Sequence, residues 1–179
     1  MIKRIKHIAF LLVLAADFTA SAQQVPLYSQ YYFNPFIYNP AYSGIGEYAN
    51  AFLIHRLQWR GMPGGPLTTA LTLDAPLKEN KTGIGLSLFN DKTGYTERFG
   101  LYGSYAYRVS FSEETHLQFG LNLGALDNRV DFTGANIKDV SDPALAFQNK
   151  RATTIDGNFG LAFLFKGLDV GFSIPQIMG

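Results

Sequence analysis

The sequence predicts an all-β fold, an antiparallel transmembrane outer-membrane β-barrel, present here as an incomplete, about seven-strand N-terminal portion. Three observations predict it. Seven stretches alternate apolar and small or polar residues with a period of two; the N-terminus carries an export signal; and no later stretch is apolar for long enough to cross a bilayer as a helix. Successive strand residues face opposite ways, so period-two alternation gives each stretch one apolar and one polar face. A helical pattern would repeat near 3.6 residues.

The first 22 residues are expected to be a signal peptide. Lys3, Arg4, Lys6 and His7 form a basic start, Ile8 to Ala16 an apolar run, and Ala20-Ser21-Ala22 an A-x-A cleavage site, so cleavage is expected after Ala22. An uncleaved anchor or buried helix is the lesser alternative, because the apolar run falls short of the roughly 20 residues a spanning helix needs. Residues 23–48 read as an aromatic, Asn-Pro-rich periplasmic lead-in, and residues 49–179 as barrel strands truncated before closure.

The strands follow in order. Ala49 to Trp59 alternates but is apolar on both faces. Leu67 to Leu77 sets Leu67, Thr69, Leu71, Leu73 and Ala75 against Thr68, Ala70, Thr72 and Asp74. Gly83 to Asn90 sets Ile84, Leu86 and Leu88 against Gly85, Ser87 and Phe89. Phe99 to Phe111 is the longest, with Leu101, Tyr105, Tyr107 and Val109 opposite Gly100, Tyr102, Ser104, Ala106 and Arg108. Leu117 to Ala125 faces His116, Gln118, Gly120, Asn122 and Gly124 away from its leucines. Ile155 to Phe165 does the same with Asp156, Asn158, Gly160 and Ala162, and Leu168 to Ile174 with Asp169, Gly171 and Ser173. Glycines would weaken a soluble sheet, but on the inner wall of a barrel they make room for side chains, loops or a passing chain.

Connection lengths alternate. Lys78 to Lys81, Ser112 to Thr115 and Lys166-Gly167 are short; Arg60 to Pro66, Asp91 to Thr96 and Asp127 to Ala152 are longer. Outer-membrane barrels have short periplasmic turns and longer outside loops, which puts the mature N-terminus in the periplasm. Trp59, Phe89, Tyr95, Tyr107 and Phe165 are expected in interfacial girdles or at ordinary core edges. Seven strands is an odd number, whereas single-chain bacterial barrels close with an even one. A missed strand, a partner or a longer chain would resolve this, and the longer chain is the favoured expectation.

Composition excludes several functions. The chain has no Cys, and without the signal it holds 12 basic and 13 acidic residues, which gives no reason to expect nucleic acid. His55 and His116 have no metal-ligand spacing near them, and no nucleophile elbow or phosphate-binding glycine loop appears. No catalytic residue, metal or cofactor is therefore expected. The sharpest enzyme reading, His116 activating Ser104 or Ser87, is weaker than a polar wall histidine. Arg98, Arg108, His116, Asp156 and Asp169 are the candidate lumen-facing residues, with Arg56 and Asp74 beside them, either bracing the wall or lining a conduit. The long connection from Asp127, with Arg129, Asp131, Lys138, Asp139, Asp142, Lys150 and Arg151, is a candidate for contact with cargo.

The segment YSQYYFNPFIYNPAYSG, Tyr28 to Gly44, is the most distinctive local sequence. Its two Asn-Pro steps argue against a regular strand and for an extended arm or pair of turns. Such an arm would plug the lumen, dock against a periplasmic partner or pack on the lower rim. With LQWRGMPGGPLTTALTLDAPL, GIGLSLFNDKTG, SDPALAF and GFSIPQ following in order, the chain resembles the PorP/SprF family of type IX secretion system membrane proteins.

The resemblance implies a Bacteroidetes-type outer-membrane barrel, longer than this chain, that serves protein secretion and in some members gliding motility. Its implied partners are outer-membrane lipid, periplasmic secretion and motor components, and secreted surface cargo such as adhesins. Tyr31, Phe33, Asn34, Pro35, Tyr38, Asn39, Pro40, Trp59, Asn90, Asp91 and Lys92 lie in the matching motifs and are the candidate partner-binding residues. A purely folding role for these positions is the heavier alternative, since Asn90-Asp91-Lys92 reads as turn chemistry. The expected function is non-enzymatic export or surface anchoring of secreted proteins. A solute channel and a secreted soluble barrel with an apolar ligand inside are the competing readings.

Overall fold

The computed structural model describes residues 32–77, 81–132 and 150–178. The predicted signal segment, Tyr31, the Lys78 to Asn80 part of the first short turn and most of the long connection lie outside them.

Among the described residues seven antiparallel strands pair in chain order into one sheet that curves into a half-barrel. They are β1 Asn50–Leu57, β2 Leu67–Leu77, β3 Thr82–Thr93, β4 Thr96–Ser112, β5 Thr115–Val130, β6 Lys150–Phe165 and β7 Leu168–Ile174. Among the described residues no helix is long and apolar enough to span a membrane, which says nothing against strands doing so.

The alternation read from the sequence becomes two faces of this sheet. On β5, Leu121 is 47% exposed and Leu123 50%, while their neighbours Gln118 and Asn122 are buried. The same parity runs through the register: Gln118 pairs with Arg108 and Ala162, and Asn122 with Ser104 and Asn158. The concave face therefore carries Gly, Ala, Ser, Asn, Gln and charge, and the convex face carries Leu, Ile, Phe and Tyr. An apolar surface this continuous is far larger than a water-soluble monomer exposes. The soluble reading, which needs the apolar face turned inward, is thereby overturned. On β6 the convex apolar set runs ten steps from Ile155 to Phe165, which at about 3.3 Å per residue and a tilt near 40° spans roughly 25 Å, the height of a barrel's apolar band.

The register also resolves β1. Phe52, Ile54 and Arg56 lie half-buried on the concave side, paired with Thr72, Ala70 and Thr68, whereas Ala51, Leu53, His55 and Leu57 face out.

Two expectations about connections need correction. Asp91 to Thr96 is not a long loop. β3 and β4 stay paired to Thr93 and Thr96, leaving only Gly94-Tyr95 as a turn. Asn90, Asp91 and Lys92 are accordingly strand residues, opposite Thr69, Thr68 and Leu67, not a turn. Likewise Asp127 to Val130 pair with Thr153 to Lys150, which shortens the long connection. The physical reason is common to both. Hydrophobic alternation stops where convex residues turn polar (Asn90, Lys92, Glu97, Asp127, Arg129, Arg151), but backbone pairing does not depend on apolar side chains and continues. These residues form a polar crown above the apolar band, tied by the Arg151 guanidinium on Asp127, 2.9 Å, and by Asn90 donating to Glu97, 3.0 Å. Of the two readings for Phe89 the interfacial one fails: it faces the concave side, as its parity predicts, and stacks on Tyr102 with ring centroids 6.3 Å apart.

Candidate functional site

The concave face is occupied by the Asn-Pro segment. Pro35–Ile37 and Pro40–Tyr42 form two short 3₁₀ turns, each opened by the proline that its preceding asparagine introduces. Proline presets the backbone for such a first position and has no N–H to leave unpaired. Asn39 caps the second turn by accepting from Ala41 N at 2.9 Å. Phe36, Ala41, Tyr42 and Ala162 form the small apolar cluster between arm and wall, with Ile45 packed against it.

Polar bonds hold the arm from one side of the sheet to the other. Asn34 donates to Thr72 Oγ1 on β2 at 2.7 Å, and the Gly44 N–H donates to Asp74 at 3.0 Å. Gln118 on β5 donates to the Ser43 carbonyl at 2.9 Å, and Arg108 on β4 to the Ile45 carbonyl at 2.7 Å and to Gln118 at 3.1 Å. Asn39 donates to the carbonyls of Leu161 on β6, 3.0 Å, and Phe172 on β7, 3.2 Å. Tyr42 donates its hydroxyl to Asp169. Burial, and then the Asp169 hydrogen bond, push the Tyr42 phenol well above its usual value, so it remains a protonated donor.

The wall fits the arm because it lacks side chains where the arm lies. A Cβ on Gly120 would fall 2.1 Å from Ala41 N, one on Gly160 1.9 Å from Asn39 Oδ1, and one on Gly83 2.0 Å from the Ser43 carbonyl oxygen. No real Cβ comes so close, so the wall glycines are the seat of the arm. These wall positions, with Thr72, Gln118 and Tyr42, were not singled out as site residues. Their signal in the sequence was the run of glycines on one parity of β3, β5 and β6.

The candidate residues fall into three groups. Asn34, Pro35, Asn39 and Pro40 lie in the arm, with Asn34, Asn39 and Pro40 buried, whereas Phe33 is exposed at its start. Trp59 is exposed in the β1–β2 loop at a positive φ of 53°, and Asn90, Asp91 and Lys92 lie near the crown. Arg98, Arg108, His116, Asp156 and Asp169 share the concave parity. Asp156 is buried, accepting from Tyr102, 3.3 Å, and from Gly157 N, 2.8 Å. His116 contacts Ser110 at 3.0 Å and the Glu113 carbonyl at 3.1 Å. Ser104 stands opposite Asn122 and Ser87 opposite Thr72, so His116 is placed to activate neither. Tyr31 lies outside the described residues, as do Lys138, Asp139 and Asp142. Among the described residues no cluster of His, Asp and Glu could hold a metal.

The described residues thus form a glycine-walled half-barrel with the Asn-Pro arm seated in it. Comparison with family models decides its relationship: residues 20–179 match the model for the type IX secretion system membrane protein PorP/SprF. The chain belongs to the PorP/SprF family. The match covers nearly the whole sequence, the arm included. Searches of curated proteins and of solved structures each found no match. This PorP/SprF chain is thus a membrane component of the type IX secretion system, from a family that is not an enzyme family, and its β-sheet with an apolar convex face is consistent with the outer membrane.

Proposed function

We propose that this PorP/SprF chain assists export or surface anchoring of secreted proteins, adhesins and gliding-motility proteins among them, without making or breaking bonds. The observation that carries this reading is the family match over residues 20–179. The two-faced sheet supports it, because lipid contact and a polar interior are what a membrane-embedded secretion component needs. Binding falls to the arm (Asn34, Pro35, Tyr38, Asn39, Pro40), the exposed Phe33 and Trp59, and the crown near Asn90, Asp91 and Lys92. The concave charged set, Arg98, Arg108, His116, Asp156 and Asp169, lines the interior and fixes the arm and wall. The partners on this reading are outer-membrane lipid, a periplasmic secretion or motor component, and the exported protein itself. Delivery requires a signal peptide cleaved after Ala22.

Deletion of the gene, with complementation, tests this. The expected result is loss of one or a few proteins from the cell surface, with small-solute uptake unchanged. Surface proteins at their normal level together with impaired uptake of a solute would instead establish a channel.

A further inference from the structure

We propose that the arm is a releasable plug, which swings out of the concave face about Gly44 to Ala49 and leaves a water-compatible wall behind. Among the described residues the arm takes part in no strand pairing. It is two 3₁₀ turns held to the sheet by the side-chain bonds of Asn34, Asn39, Tyr42, Asp74, Arg108 and Gln118. Water can replace each such bond when the arm departs, so release does not strand the backbone.

The wall beneath the arm is polar. Thr72, Asp74, Ser87, Ser104, Gln118 and Asn122 are buried there. A permanently filled interior is ordinarily apolar, because buried polar groups are costly unless every one is satisfied. Here they are not all satisfied. Ser43 Oγ on the arm and Ser104 Oγ on the wall are buried without a hydrogen-bond partner among the described residues. Each gains hydration when the arm leaves, which offsets part of the cost of opening. Behind the turns, Glu47, Tyr48 and Ala49 are exposed, and Gly44 holds a left-handed φ of 62°. Glu47 to Ala49 are therefore unencumbered, Gly44 supplies a bend only glycine adopts readily, and release breaks the two bonds that hold the pivot's start, Gly44 N–H to Asp74 and Arg108 to the Ile45 carbonyl. Release deepens the secretion reading given above and rests on it for what the opening serves.

The chain's lack of Cys makes a cross-link clean. A Cβ on Gly160 would stand 3.0 Å from Asn39 Cγ, where a sulfur at position 39 would lie, so Asn39→Cys with Gly160→Cys is within disulfide reach. Oxidation of this double variant should lower its surface-protein export about tenfold below that of the same variant kept reduced; in Ser43→Cys, an impermeant maleimide should label the thiol about tenfold faster in exporting cells than in the purified, seated chain. A double variant that exports when reduced and exports equally when oxidised overturns the proposal, as does a Ser43→Cys thiol that stays protected in exporting cells. Ser43→Cys replaces a hydroxyl that makes no hydrogen bond, so it decides the matter alone where the double variant fails to assemble or does not export when reduced. If deleting the gene leaves export unchanged, the secretion reading fails by itself. Release is then read from Ser43→Cys labelling in intact cells, where labelling about tenfold faster than in the purified chain supports it and equal protection overturns it.

Discussion

Asn39 joins three elements through one side chain. Its Oδ1 caps the second 3₁₀ turn while its Nδ2 bridges the carbonyls of Leu161 and Phe172. Asn39→Ala removes the cap and leaves two strand carbonyls without that donor. It should destabilise the folded chain by about 1–3 kcal/mol, read from urea unfolding in detergent micelles. Gly120 works by having no side chain. Gly120→Val places carbon 2.1 Å from the backbone of Ala41, where no flexible group can yield. The arm must then shift, and residues 32–48 should become protease-sensitive while the sheet stays intact. Full protection of the arm in that variant would show that the wall relaxes instead.

Elements rest on a different chemistry. The convex face of β5 meets lipid through Leu121, near the middle of the apolar band. Leu121→Arg should cost about 2–4 kcal/mol in refolding into lipid vesicles, and Lys92→Ala, in the polar crown, should cost little. An equal cost at both positions would remove the distinction between band and crown. The β6–β7 hairpin turns on Lys166 and Gly167, at φ 46° and 85°. Two successive positive φ values define the turn whose twist matches paired strands. Gly167→Val should therefore destabilise the hairpin by about 1–2 kcal/mol, with faster amide exchange confined to β7 and the end of β6. Two connections, by contrast, are shorter than alternation predicts. Reading them from hydrophobic alternation places Asp91 to Thr96 outside the sheet, because Lys92 and Glu97 turn polar while their backbones remain paired.

The whole molecule is two chemistries separated by one layer of backbone. Leucine, phenylalanine and tyrosine cover one side; glycine, amide, carboxylate and a folded-back arm fill the other. The chain should remain in the membrane pellet after alkaline extraction, enter solution only with detergent, and aggregate when detergent is diluted away. Its behaviour should not change with reducing agent, since it carries no Cys. A monodisperse chain in plain buffer would contradict the orientation of the convex face.

Alternation is a local property, so the sequence by itself determined the strands, their two faces and the family. Along β2 to β7 the alternation as a whole declares the two sides without reference to distant residues, although single residues such as Phe89 and Leu126 depart from it. The arm's place, the parity of β1 and the reach of the paired backbone were decided only by tertiary structure. Phe52 and Leu53 are equally apolar, and only pairing with Thr72 and Leu71 turns one inward and the other outward. In the same way, nothing near Asn39 in sequence foretells Gly160 or Phe172, more than a hundred residues on. Such contacts arise when a sheet curves and brings its far strands to one short segment, a condition that is set by space and not by neighbours in the chain.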